Sequence, residues 1–125
     1  GIESKVLLNE IQNGKYLGLA SDQNAGKKGL MVPFFGKDTS IPKGAAVFKL
    51  KSKAPIFFCY CIADENRKYK LFVENLGNDF EQIESKNKVE EICKLIASDL
   101  ENIIRKYPEQ YFWFHRKWPK KIYKK

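Results

Sequence analysis

The chain has 125 residues, 43% hydrophobic and 14% aromatic, and a net charge of +8 from 23 Lys+Arg against 15 Asp+Glu. That length and apolar fraction allow one domain with a core and leave no room for two. The aromatic content excludes a disordered chain, no apolar run approaches the roughly 18–20 residues of a spanning helix, and the single His excludes most metal and acid–base sites that need two or more.

Glu3 to Asn13 carries Val6, Leu7 and Ile11 at helical spacing, with Gly14 as a stop signal. Tyr16 to Ala20 reads as a short buried strand, and Ser21 to Gly29 as a polar, Gly-containing loop. Leu30 to Phe35 is apolar and extended, but Pro33 argues against a central strand. Pro42 opens a helix that continues over Lys43 to Lys51. Ile56 to Ile62 reads as a buried strand and Lys70 to Glu74 as another. The polar Asp64-Glu65-Asn66-Arg67 between them suggests an antiparallel hairpin. Val89, Ile92, Cys93, Ile96, Leu100, Ile103, Ile104 and Tyr107 recur every three or four residues, the stripe of an amphipathic helix. Asn87 with Glu90 resembles its cap, and Pro108 ends it. The expected fold class is α/β, a mixed sheet flanked by helices, in a single domain over 1–125.

The charge is concentrated at one end. Residues 105–125 hold eight bases and one acid, and the other 104 residues are nearly neutral. A basic, aromatic end attracts nucleic acid, anionic lipid head groups or an acidic protein. Within it, Phe112, Trp113 and Phe114 are expected in the core, with the bases around them. Cys59, Cys61 and Cys93 are read as small buried hydrophobes in a reducing compartment. No C-x-x-C occurs and His115 is remote from every Cys, so no metal is expected, and no cofactor.

Two segments offer chemistry. The loop Asp22-Gln23-Asn24-Ala25-Gly26-Lys27-Lys28-Gly29 follows an expected strand, where α/β folds place sites, and Lys27 and Lys28 suit phosphate. It is not a Walker A loop, and by motif alone it reads as a surface turn. The second segment is Pro108 to Trp118, with His115, Arg116 and Lys117. His115 does not open an H-x4-D/E pair, because Lys120 stands five residues on. No complete catalytic set is present.

Taken together, the two segments resemble the C-terminal part of the bacterial lipid A biosynthesis acyltransferases, the lauroyl/myristoyl family of the lysophospholipid acyltransferase superfamily. The first match is Asp22, Gln23, Gly26, Gly29, Val32, Phe34, Phe35, Gly36, Thr39, Gly44, Ala45, Lys51, Ser52, Ala54 and Pro55. The second is Pro108, Glu109, Gln110, Tyr111, Trp113, His115 and Arg116, with Lys117 where the pattern usually has Arg. The resemblance implies transfer of a fatty acyl group from acyl carrier protein to a hydroxyl of a phosphorylated lipid A precursor. It implies a catalytic H-x4-D/E motif and a membrane anchor that are both absent here, so the chain is expected to be the C-terminal part of the acyltransferase domain, inactive alone. The chain also begins at Gly1 without a signal-peptide pattern, as a piece of something longer would. Asp22 matches an Asp needed for activity and is the expected supporting catalytic residue. Gln23, Lys27, Lys28, His115, Arg116 and Lys117 are the expected substrate-binding set. Expected partners are acyl carrier protein, the phosphorylated acceptor and an anionic membrane surface, at the cytoplasmic face of the bacterial inner membrane. Another phospholipid or glycolipid acceptor is a near alternative, and a nucleic-acid binding module a more distant one.

Overall fold

The computed structural model describes residues 2–76, 80, 83 and 87–124. In order they form α1 (Ile2–Gln12), a 3-10 turn (Gly26–Lys28), β1 (Leu30–Phe34), β2 (Lys37–Ile41), α2 (Gly44–Ser52), β3 (Phe57–Ala63), β4 (Tyr69–Asn75), α3 (Lys88–Lys106), a 3-10 turn (Pro108–Gln110) and α4 (Lys120–Tyr123). The α/β class holds. The described strands form two antiparallel ribbons, β1–β2 and β3–β4, rather than one mixed sheet.

The long helix organises the body. Ile92, Cys93, Ile96, Ala97 and Ile104 of α3 are buried, and the helix packs against β1 and α2. Each fully buried aliphatic side chain of this kind contributes roughly 1.5–3 kcal/mol. Val32 and Phe34 of β1, Ile41 of β2, Ala46 of α2, Leu76 and Phe80 join that core, and α1 packs on α2. The Asn87 carbonyl accepts from the Glu90 and Glu91 N–H groups at the start of α3, so the cap is made by the backbone rather than by a side-chain bond to the helix.

The β1–β2 hairpin turns through Phe35 and Gly36, both left-handed at φ 49° and 72°. Two-residue turns of this hand match the twist of the flanking strands. Phe35 takes a conformation that a bulky residue avoids. It is held there by α3: its N–H donates to Glu101 Oε2 at 2.6 Å, and the Arg105 guanidinium lies 4.7 Å above its ring. Burial alone would raise the Glu101 carboxyl, but the Phe35 N–H and Arg105 outweigh it and leave the carboxyl below its ordinary value. Pro33 sits opposite Asp38 in this ribbon, where both strands are edges and its missing N–H costs little.

Several expectations are corrected. Tyr16 to Ala20 belongs to neither ribbon, and Tyr16 is 94% exposed. A run of strand-forming residues does not become a strand without a neighbouring backbone to pair with. β3 is half-buried rather than buried, because a two-stranded ribbon covers one face only. Cys59 and Cys61 stand two residues apart on its outer face and are exposed; only Cys93 is buried. Burial pushes the Cys93 thiol up, with Lys43 opposing. Phe112, Trp113 and Phe114 lie at the surface, Phe114 being 93% exposed. Their places in the core are taken by Tyr111 and Trp118, which pack on the buried cluster. Among the described residues no helix is long and apolar enough to cross a membrane, and no group of three or more His, Cys, Asp or Glu is placed to hold a metal.

Candidate active site

The loop that carries Asp22 is seated on β2. The Ala25 N–H donates to the Ser40 carbonyl at 3.1 Å, and Ser40 Oγ donates to the Gly26 carbonyl at 2.7 Å. Asn24 Oδ1 accepts the Gly26 N–H at 2.7 Å, which closes a local turn. Gly29 makes the close approach possible: a Cβ there would come within 2.6 Å of both Ala25 Cβ and the Ile41 carbonyl.

The end of the chain returns to this loop across more than eighty residues. The Tyr111 hydroxyl donates to the Asp22 carbonyl at 3.2 Å, and Lys117 Nζ donates to the same oxygen. The Lys117 carbonyl in turn accepts from Asn24 Nδ2 at 2.6 Å and from Thr39 Oγ1. His115 Nδ1–H donates to the Phe112 carbonyl at 2.7 Å, since a carbonyl only accepts. Its Nε2 lies 3.5 Å from the Tyr111 hydroxyl oxygen, whose one hydrogen is given to the Asp22 carbonyl. Burial, then the charge of Asp22 and Tyr123, pushes the Tyr111 hydroxyl up to about 12. Burial lowers the Lys117 ammonium to about 8, against the opposing pull of Asp22.

The predicted site residues therefore divide. Asp22, His115 and Lys117 are brought together; Gln23, Lys27, Lys28 and Arg116 are exposed around them. Lys117, by contrast, is 1% exposed, with its ammonium directed at the Asp22 carbonyl and 4.9 Å from the Phe34 ring centre. Tyr111, Asn24 and Thr39 join the site without having been singled out for a role. No periodic pattern points to them, since their partners are distant in sequence and the bonds run to backbone carbonyls.

Asp22 and Tyr111 line a groove of about 950 Å³. Its walls include Leu19, Phe48, Phe58, Ile96 and Leu100, so its lining is mostly apolar with a few polar groups. The volume is at the upper end for small-molecule sites, and such a mixture is their usual character.

Comparison with protein families matches residues 2–120 to the bacterial lipid A biosynthesis acyltransferase family. The chain belongs to that family. Comparison with curated proteins gave no match. The two segments of the resemblance, 22–55 and 108–118, meet at Asp22, so motifs separated in sequence form one structural unit.

Proposed function

We propose that this chain supplies one side of the active site of an enzyme that moves a fatty acyl group from acyl carrier protein to a hydroxyl of a phosphorylated lipid A precursor. The observation that carries the reading is the Asp22 loop, tied to Tyr111 and Lys117 in the lining of a large apolar groove. An apolar lining suits a hydrocarbon chain, and an Asp in that lining suits a group that orients the reacting polar end.

In the proposed reaction the acceptor hydroxyl oxygen attacks the thioester carbonyl. A base takes the hydroxyl proton, the tetrahedral oxyanion collapses with cleavage of the C–S bond, and the protonated base returns the proton to the departing carrier thiolate. The base is the His of an H-x4-D/E motif, which this sequence does not contain. His115 is unsuited to that role, being held between the Phe112 carbonyl and the Tyr111 hydroxyl. Asp22 acts in support, holding a basic or hydroxyl group near the acceptor. Exposed Gln23, Lys27, Lys28 and Arg116 meet acceptor phosphates. Exposed Phe112, Trp113 and Phe114, with Arg116, Lys120 and Lys121 beside them, face the anionic surface of the inner membrane, where aromatic rings and cations partition together.

Asp22→Ala in the catalytically complete enzyme tests the reading. Acyl transfer is expected to disappear while the melting temperature stays within a few degrees, since the loop is held through the Asp22 carbonyl and not through its carboxylate. Transfer at the wild-type rate would remove Asp22 from the site.

A further inference from the structure

We propose that Lys117 is the positioning residue for Asp22, a clamp that fixes the Asp22 peptide so that its carboxylate is aimed into the groove. The inference rests on the acyltransferase reading of Asp22.

Its geometry is a three-point link made by one residue. The ammonium donates to the Asp22 carbonyl, and the Lys117 carbonyl accepts from Asn24, two residues along the same loop, and from Thr39 of β2. Tyr111 adds a second donor to the Asp22 carbonyl, from the same C-terminal segment. The loop is thus held at Asp22 and again two residues on, at Asn24. With its carbonyl fixed by two donors, the Asp22–Gln23 peptide plane is held, and with it the backbone from which the Asp22 side chain projects.

A structural role alone accounts poorly for the residue type. Filling a buried space with an ammonium is destabilising compared with an apolar side chain, because the charge loses its water. Here the compensation comes from a neutral carbonyl, the face of Phe34 and the nearby Asp22 charge, with no buried ion pair. A Met would fill the same volume without that cost. What the ammonium adds is a directed bond to the residue in the lining of the groove.

The test is a double-mutant cycle in the complete enzyme, with a lauroyl thioester of acyl carrier protein as donor. Lys117→Met is expected to lower kcat per folded molecule about 100-fold, the loss that a displacement of about 1 Å produces, with KM for the thioester within about two-fold of wild type. Lys117→Arg, which keeps a buried donor, is expected to restore most of kcat. Combined with Asp22→Asn, Lys117→Met is expected to add no further loss, because the clamp acts only through Asp22. Thr39→Val, which removes one bond to the Lys117 carbonyl without removing the charge, serves if Lys117→Met does not fold, and should show the same non-additivity with a smaller loss. In the 125-residue chain itself, amide exchange over 22–26 should speed up in Lys117→Met while the α3 amides keep their protection. Losses that multiply in the double variant, or an unchanged kcat in Lys117→Met, overturn the clamp while leaving the Asp22 site intact. An unchanged kcat in Asp22→Asn overturns the site, and the clamp with it.

Discussion

The buried ammonium of Lys117 has a thermodynamic consequence that can be measured without any substrate. Its pKa is about 8 in the folded chain against an ordinary 10.5. At about 1.4 kcal/mol per pH unit, the difference corresponds to about 3 kcal/mol. Below pH 8 both folded and unfolded states carry the proton, and the folded state bears the full desolvation cost. Between about 8 and 10.5 the folded state releases the proton and the unfolded state keeps it. Stability contributed by this group therefore rises with pH in that window and is constant outside it. Other groups pull the opposite way. The Cys93 thiol and the Tyr111 hydroxyl, both raised by burial, hold protons that the unfolded chain releases. The perturbation that isolates Lys117 is Lys117→Met. Urea unfolding of both proteins from pH 7 to pH 10 cancels the shared groups in the difference. Wild type is expected to gain about 2–3 kcal/mol on the variant across that range. Parallel curves, with a constant difference at every pH, would show that Lys117 is not held desolvated, and the account of its burial would fail.

Two further outcomes follow. Gly29→Ala should lose more than about 2 kcal/mol in denaturant titrations, because its Cβ would overlap Ala25 and the Ile41 backbone, which cannot give way as a flexible side chain can; a variant as stable as wild type would mean that the loop is not seated on β2. Phe112→Ser with Phe114→Ser should abolish sedimentation with phosphatidylglycerol vesicles, while 0.5 M salt should only weaken wild-type binding, by the screening of its cations at about 4 Å; equal binding by the double variant would refute the aromatic surface as the membrane contact.

Most of the secondary structure was legible in the residues themselves. The spacing from Val89 to Tyr107 names α3 and its buried face, and Asp64 to Arg67 between two apolar runs names the β3–β4 hairpin, because both are local patterns with a period. β2 was missed: Lys37 to Ile41 is polar at its start, and its strand identity comes from pairing with β1 across a left-handed Phe35-Gly36 turn. Tyr16 to Ala20 failed for the complementary reason, a strand-like composition with no partner. Burial was the least legible property. Phe112 and Phe114 are apolar yet exposed, and Lys117 is charged yet buried, since burial depends on which surfaces the fold brings together.

By itself the sequence determined the elements with a local period, the concentration of positive charge after residue 104, and the two motif segments that mark the acyltransferase family. Only the tertiary structure decided that those segments meet, and in what roles. Hydrogen bonds from Tyr111 and Lys117 to the Asp22 carbonyl join residues 89 and 95 positions apart. A backbone carbonyl carries no residue type, so nothing in the sequence marks it as the acceptor. The basic end, which reads as a uniform attractor of anions, divides into exposed Arg116, Lys120 and Lys121 and one lysine turned inward, because the last residues wrap back over β1 and β2 and leave Lys117 no path to water.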